Sequence, residues 1–265
     1  MTIITITTDF GLRDGYGGVM KGVIWGINPI AKIVDITHLI PPQDVNQGSI
    51  ALSQVVPFFP ENTIHVAVVD PGVGTTRRPM AAKIGSQFFV GPDNGLFTRV
   101  IRAGEEKKVE IAFVELDKPQ FWLSEISHVF HGRDIFAPVA AHLSSNVSIH
   151  EVGTLFSDPI LLPLPKLEFC KDKIVGEVVS IDNFGNLATN IMEDHLKKFN
   201  KNFVIKLMDQ TIFDFVSTFG DKPQGTLVGL IGTQKNLLIA CVNSNAQQKI
   251  GGSVKIGSKV EVIFE

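Results

Sequence analysis

The sequence predicts an N-terminal α/β domain with a mostly parallel sheet (residues 1–157), a Pro-rich linker (158–170) and a small all-β, barrel-like C-terminal domain (171–265). Three observations support this prediction. Before residue 157, extended apolar segments alternate with segments of helical period, as in α/β domains. Residues 157–167, SDPILLPLPKL, contain three prolines and follow neither period. After the linker, short β-rich segments are separated by Gly- and Asn-rich turns.

The elements of the N-terminal domain follow from the local apolar pattern. A helix is predicted where apolar residues between Tyr16 and Ile27 form one stripe, and another is predicted to begin at Asp134, which can cap it. The predicted strands are uniformly apolar, so we expect their sheet to be covered on both faces. The remaining elements are predicted as strands at 3–7, 32–36 and 63–69, further strands near Ala81 and Phe88, and a helix at 47–58.

The C-terminal domain is predicted to consist of short strands joined by turns. Several short strands with turn residues between them are typical of a barrel or a sandwich. The predicted strands are residues 174–181, 203–207, 226–231, 237–242 and 259–264.

Composition restricts the class of protein. The chain has 265 residues, a net charge of −3 and scattered Lys and Arg residues, so it lacks the basic stripe of a nucleic-acid binder. No apolar run approaches the roughly 18 residues of a membrane span, and the N-terminal MTIITITTDF predicts a first strand, not a signal peptide. Two distant cysteines, Cys170 and Cys241, favour a reducing, cytoplasmic compartment.

A first candidate site follows the first predicted strand. Asp9 and Phe10 come directly after it, and Asp14 and Tyr16 precede a glycine-rich helix. Ligands of open α/β sheets bind at the carboxyl ends of strands, where a carboxylate can accept both hydroxyls of a ribose. Asp9 or Asp14 capping the following helix is the alternative. The glycine spacing matches neither a dinucleotide fingerprint nor a phosphate loop.

The second candidate is DPGVGTTRR, residues 70–78, which leaves an apolar strand through a Pro-Gly turn. Asp70 at the end of the strand can present charge to a cleft, and Arg77 can pair with it or orient a polar ligand. Because the guanidinium stays protonated, Arg77 cannot be a general base. The alternative is a solvated turn with a surface ion pair.

The third candidate is His131, within FHGRD at residues 130–134. Histidine suits proton transfer near neutral pH, and the adjacent Gly132 leaves room for a small substrate or water. Since the chain has seven histidines, a structural role is the alternative. His128 with His131 makes a weak zinc pair because no third ligand is near them in sequence.

The fourth candidate is the turn IDNFGN at residues 181–186. Asp182 and Asn186 could hold the ammonium and carboxylate of an amino acid, with Phe184 as an apolar wall. Short polar residues and glycine are also what tight turns require, so an ordinary turn is the alternative.

Five motifs resemble one known family. TTDFG, DPGVGTTRR, PDNG, FHGRDIFAP and DNFGN occur in the order and approximate spacing of the S-adenosylmethionine hydroxide adenosyltransferases, whose relatives include chlorinases and fluorinases. The resemblance covers nearly the whole chain. It implies hydrolysis of S-adenosylmethionine to adenosine and methionine, without a metal or organic cofactor. It also implies a homotrimer whose active sites lie between the N-terminal domain of one subunit and the C-terminal domain of a neighbour.

The resemblance also implies roles for individual residues. The water-activating Asp-Arg-His set of the family matches Asp70, Arg77 and His131, and its ribose-binding carboxylate matches Asp9. The sequence leaves open whether Asp70 or His131 is the base. The remaining matched residues comprise the substrate contacts Phe10, Asp14, Tyr16, Phe130 and Gly132, the methionine-binding Asp182, Phe184 and Asn186, and the adenine-binding segment from Cys241 to Asn243.

Two positions bear on the choice of nucleophile. Gly132 stands where a halide-using relative is expected to have a halide-binding serine, so hydrolysis is favoured over halogenation. Val129 stands where relatives often have threonine, so one hydroxyl contact near the reacting carbon is missing. The alternatives are halide-dependent cleavage to a 5′-halo-5′-deoxyadenosine and a non-catalytic sensor of adenosine or S-adenosylmethionine.

Overall fold

The computed structural model describes residues 2–199 and 201–265, which divide into two compact units between Leu162 and Pro163. In the described residues, no helix is both long and apolar enough to span a membrane. The elements of the first unit are β1 (Ile3–Thr8), α1 (Tyr16–Ile27), β2 (Lys32–Thr37), α2 (Val45–Val55), β3 (Ile64–Val68), β4 (Pro79–Ile84), β5 (Gln87–Pro92), α3 (Thr98–Glu106), β6 (Ile111–Glu115), α4 (Ala137–Ser144) and β7 (Thr154–Phe156).

The first unit contains a mixed sheet with the strand order β2-β1-β3-β5-β4-β6-β7. Strands β2, β1, β3 and β5 are parallel, whereas β4, β6 and β7 pair antiparallel with their neighbours. The mostly parallel sheet predicted from the sequence is therefore correct for one half. The other half reverses because only Gly85 and Ser86 separate β4 from β5, and a two-residue connection can only join antiparallel strands.

Both faces of this sheet are covered, as predicted. Along β3 and the residue after it, Val66 and Val68 pack into one core with α1 and α4, while Ala67 and Val69 pack into a second core with α2 and α3. Successive strand residues point to opposite faces, so an uninterrupted apolar run fits a sheet between two layers of helices. The residues that follow β1 and β3 are thereby held at one edge of the sheet.

The start of α4 differs from the prediction. Asp134 does not cap this helix, because a π-helical turn, Gly132–Phe136, precedes it and contains Asp134. The Asp134 side chain is fully buried and accepts hydrogen bonds from Ser127 instead. A short polar residue before an apolar stripe is a common helix start, and here hydrogen bonds to a residue seven positions earlier override that preference.

The second unit is an antiparallel, nearly closed barrel-like sheet in the order β12-β11-β15-β9-β10-β14-β13, with β8 paired to β9. After β12, Val216 N–H donates to the Gly229 carbonyl of β13 at 2.9 Å, which brings the two ends of the sheet together. This agrees with the predicted barrel-like domain. Its elements are β8 (Glu168–Phe169), β9 (Lys173–Ile181), β10 (Leu187–Met192), α5 (Glu193–Lys197), β11 (Phe203–Leu207), β12 (Gln210–Ile212), β13 (Leu227–Ile231), β14 (Asn236–Cys241), α6 (Ala246–Ile250) and β15 (Lys259–Phe264).

Candidate active site

Asp70, Arg77 and His131 form one connected cluster. Arg77 Nε donates to both carboxylate oxygens of Asp70 at 3.0 Å, and Arg77 Nη2 donates to Asp70 Oδ2 at 2.5 Å. The same Nη2 lies 2.9 Å from His131 Nδ1. The side chains of Arg77 and Asp70 are only 8% and 5% exposed, so this is a buried ion pair. The alternative of a solvated turn with a surface ion pair is therefore wrong.

The loop that carries Asp70 and Arg77 is fixed by a close backbone contact. Gly74 has a φ of +76°, and a Cβ atom there would lie 2.1 Å from the carbonyl oxygen of His128. Only glycine fits both the left-handed conformation and this approach. The loop therefore packs directly on the chain segment that leads to His131.

The arrangement fixes the protonation of His131. Because a guanidinium nitrogen can only donate, Nδ1 of His131 must offer its lone pair to Arg77, and the proton of the neutral imidazole is on Nε2. Burial and the positive charge of Arg77 both lower the pKa of His131, which keeps the imidazole neutral. His131 thus presents an Nε2–H donor.

A group of aromatic rings lies beside this cluster. Phe10, Tyr16 and Phe130 pack edge to face, with ring centroids 5.2–5.8 Å apart. A Cβ atom at Gly132 would lie 3.3 Å from a Phe130 ring carbon and 3.6 Å from one of Phe10. The buried Gly132, next to His131, therefore links the ion-pair cluster to these rings.

The two carboxylates near the start of α1 differ. Gly15 is the N-cap of α1 and no side chain caps it, so the capping role considered for Asp9 or Asp14 is wrong. Asp9 Oδ2 accepts a hydrogen bond from Gln43 N–H at 2.8 Å, which orients the carboxylate at the end of β1. Asp14 is exposed and makes no hydrogen bond or ion pair within the described part of the chain.

In the second unit, the Asp182 carboxylate is bound by its own turn. Oδ1 accepts from the backbone N–H of Phe184 at 2.9 Å and of Asn186 at 2.8 Å, and Oδ2 accepts from Asn186 Nδ2 at 2.8 Å. The turn leaves the Phe184 side chain 73% exposed. It therefore has the bonding of an ordinary tight turn and also presents an exposed ring.

The predicted adenine segment lies next to this turn. Cys241 is buried at the end of β14, and the exposed Asn243 follows with a φ of +49°. A Cβ atom at Gly185 would lie 2.2 Å from the Asn245 side chain, so the two turns are in contact.

One well-placed residue was missed by the sequence analysis. His38 is 7% exposed, and its Nδ1 lies 2.7 Å from Thr8 Oγ1, while its carbonyl accepts from Gly11 N–H. It therefore holds both ends of the segment containing Asp9 and Phe10. No sequence signal marks His38, because it meets these residues only through the pairing of β1 with β2.

The described residues contain no group of three or more His, Cys, Asp or Glu side chains placed to hold a metal ion. His131 directs its Nδ1 at a guanidinium, and a zinc ligand cannot share that lone pair. The geometry therefore favours a hydrogen bond between His131 and Arg77 over a zinc site formed by His128 and His131.

Comparison with known proteins identifies both parts of the chain. Residues 4–153 match the model of the SAM hydroxide adenosyltransferase N-terminal domain, and residues 176–261 match the model of its C-terminal domain. A protein of Salinispora tropica named (R)-S-adenosyl-L-methionine hydrolase is 35% identical over 94% of this chain and 93% of that protein.

Two further relatives place the chain among solved structures and more distant enzymes. The crystal structure of an uncharacterized conserved protein from Thermotoga maritima has a TM-score of 0.89 and 36% identity, covering 98% of this chain and 99% of that one. A fluorinase of Nocardia brasiliensis is 29% identical over 77% of this chain and 76% of that protein.

Proposed function

This chain belongs to the SAM hydroxide adenosyltransferase family, and we propose that it is an S-adenosyl-L-methionine hydrolase that uses Asp70, Arg77 and His131 to direct water at the ribose C5′. The products are adenosine and L-methionine. The observation that carries the proposed mechanism is the contact of one buried guanidinium with both a carboxylate and an imidazole. This contact fixes what each group can do to a water molecule.

The tautomer of His131 determines which group donates a hydrogen bond to the water and which accepts its proton in the proposed mechanism. His131 Nε2–H donates to the attacking oxygen and holds it in place, whereas Nδ1 is occupied by Arg77 and takes no proton. Asp70 Oδ1 receives one Arg77 N–H, so it retains a lone pair for a proton of the water. Asp70 is therefore the base in this mechanism, and His131 is the orienting donor.

Little further activation is needed because the leaving group is a sulfonium. The oxygen attacks C5′, the C5′–S bond breaks with its electron pair on sulfur, and the water proton passes to Asp70. Charge on the sulfonium and the developing hydroxide is neutralised together, which a water-poor site favours. Positioning of the water in line with the C5′–S bond supplies much of the rate. No metal or organic cofactor takes part.

The other predicted residues receive binding roles in this proposal. Asp9 accepts the ribose hydroxyls, and Phe10, Tyr16 and Phe130 supply apolar contacts; the turn with Asp182, Phe184 and Asn186 binds the methionine part. Backbone around Cys241 to Asn243 binds adenine. The Phe184 ring is 73% exposed beside the polar groups of its turn, so it is available for contact with the methionine part. The space predicted beside Gly132 is filled by Met20 and Phe130, each 3.3 Å from where a Cβ atom would lie, so Gly132 contributes its backbone next to His131. The exposed Asp14, before α1, contributes a polar contact.

A cytoplasmic homotrimer is part of the proposal. Cys170 and Cys241 are both free thiols, which suits a reducing compartment. Leu12 and Val129, on the segments that carry the aromatic group, are 72% and 79% exposed, so two large apolar side chains near this group are available for contact with a second chain. Light scattering should give three times the 28.9 kDa of one chain.

The test is the product formed from S-adenosylmethionine in H₂¹⁸O, with and without chloride. We expect adenosine with ¹⁸O in its 5′-hydroxyl, together with methionine, at the same rate in both buffers. Label in the hydroxyl shows that water oxygen attacked C5′.

Each other outcome supports an alternative. A 5′-chloro product that appears only with chloride would show halide-dependent cleavage. Substrate that binds, measured by calorimetry, but is recovered intact would show a sensor and would refute hydrolysis.

A further inference from the structure

The carboxylate of Asp134 lies three residues from His131 and is fully buried. Its Oδ2 accepts from both the backbone N–H and the hydroxyl of Ser127 at 2.8 Å, and its Oδ1 accepts from Arg133 Nε at 2.5 Å. Burial disfavours its charge, yet the hydrogen bonds from Arg133 and Ser127 hold the pKa of Asp134 below its usual range. Asp134 is therefore an ionised group inside the first unit.

These bonds fold the preceding segment back onto the π-helical turn. The hydroxyl of Ser127 also accepts from Phe130 N–H at 3.1 Å, and Asp134 N–H donates to the Phe130 carbonyl at 3.1 Å. Leu123 N–H donates to the Asp134 carbonyl at 2.9 Å. The segment 123–130 is thus tied at its start, its middle and its end to one residue.

The same segment contacts the loop that carries the ion pair. His128, inside the tied segment, has its carbonyl oxygen against Gly74. A displacement of residues 123–130 therefore shifts both partners of Arg77, since His131 directly follows the segment and Asp70 begins the Gly74 loop. A misplacement of about 1 Å at a reacting centre can cost about 100-fold in rate.

We propose that Asp134 is a positioning residue of the hydrolase, which acts through Ser127 and the segment 123–130 to set His131 against Arg77 and the attacking water. The proposal rests on the proposed function, because it assigns Asp134 a part in that reaction. Asp134 touches neither water nor substrate in this role. Its charge also faces His131, together with Asp70, Arg77 and His128.

Two variants separate the geometry from the charge. Asp134→Asn places an amide N–H₂ against a hydrogen-bond donor, either Ser127 or Arg133, and removes the negative charge. Ser127→Ala removes one bond to Asp134 and the bond to Phe130 but leaves the charge in place. Asp93→Asn is the matched control, because Asp93 is also buried and bound by an arginine and a backbone N–H.

For turnover we expect kcat to fall about 100-fold in Asp134→Asn and about 5-fold in Ser127→Ala. The pH profile distinguishes this role from a purely structural one. Asp134 raises the pKa of His131, so in Asp134→Asn the acid limb of kcat/KM should move to lower pH. Ser127→Ala and Asp93→Asn should leave that limb where it is in the parent protein.

The pKa of His131 is also measured without turnover, from its imidazole NMR signals, assigned with a His131→Gln variant. We expect the same downward shift in Asp134→Asn. Unchanged kcat in both variants of an active enzyme, or an equal shift of the limb in Asp93→Asn, would overturn the proposal. If the parent protein forms no adenosine, the proposed function fails. Independently of that result, an unchanged NMR-measured pKa of His131 in Asp134→Asn would overturn this inference.

Discussion

The Asp70 cluster and the Asp182 turn are two polar groups built in opposite ways. Asp70 is bound by Arg77, which in turn meets His131 from 54 residues away, and the ion pair is almost completely buried. Asp182 is bound by groups within four residues, and the turn leaves Phe184 exposed. We proposed catalysis for the first group and substrate binding for the second, and these roles predict different kinetic effects of mutation. Four experiments test this contrast.

Asp70→Asn should have the largest effect. We expect kcat to fall about 10³-fold, because the base is lost, with KM changed little. The buried Arg77 would lose its counter-charge, so the free energy of unfolding should fall by about 3 kcal/mol in urea titrations. Asp182→Asn is the matched change in the second unit and should instead raise KM. Equal losses of kcat in Asp70→Asn and Asp182→Asn would show that the two carboxylates do not differ in role.

Acid should destabilise the first unit, which contains Asp70, because this unit buries a neutral histidine. His65 on β3 is fully buried, and burial lowers its pKa to about 4. In the unfolded chain the pKa of a histidine is near 6.5, so His65 does not reduce the free energy of unfolding above that pH. As the pH falls towards 4, the unfolded state binds a proton that the folded state does not, and the free energy of unfolding decreases by about 3 kcal/mol. Tryptophan fluorescence reports this loss from the first unit alone, because Trp25 and Trp122 are the two tryptophans of the chain.

His65→Phe keeps the ring beside Phe89 and removes the titration. The fluorescence transition should therefore depend less on pH between 6.5 and 4 than in the parent protein. His150→Gln, a change at an exposed histidine, should leave the pH dependence as it is. If both variants match the parent, His65 does not control acid stability.

His131→Gln should lower kcat about 100-fold with little change in KM, because the Nε2–H donor and the partner of Arg77 are both displaced. The exposed His128 provides the control, and His128→Gln should retain kcat within about twofold. Because burial and the charge of Arg77 lower the pKa of His131, the activity of the parent should persist below pH 6.5 and then decline. Steady-state kinetics that show equal losses in the two variants would exclude a specific role for His131.

Phe184→Ala should have the smallest effect, a rise in KM of about 10-fold with kcat nearly unchanged, because a binding contact is lost. Phe213 is the matched control in the same unit, since both rings are 73% exposed. Phe213→Ala should change neither parameter. Calorimetry of substrate binding to both variants checks whether the loss is in affinity. A similar result for the two phenylalanines would mean that Phe184 is simply an exposed ring.

The predicted fold was most accurate where local pattern is sufficient. Helix α1 and strands β11 and β15 were predicted with their observed limits, because apolar periodicity defined each of them. Helix α2 ends at Val55, short of the predicted residue 58, and a 3₁₀ turn containing Pro57 follows. Strand β10 and helix α3 were not predicted, although each carries its expected period: Val100, Ile101 and Gly104 form the buried face of α3, and the burial of β10 alternates.

By itself the sequence determined the family, the alternation of strands and helices, and the self-contained turn at Asp182, whose hydrogen bonds join residues at most four positions apart. Only the packing of the chain buries Arg77 and brings its Nη2 into contact with both Asp70 and His131, which lies 54 residues away. The physical reason is distance along the chain. Periodicity and turn chemistry act over a few residues, whereas the protonation of His131 depends on a partner that only sheet pairing and helix packing bring to it.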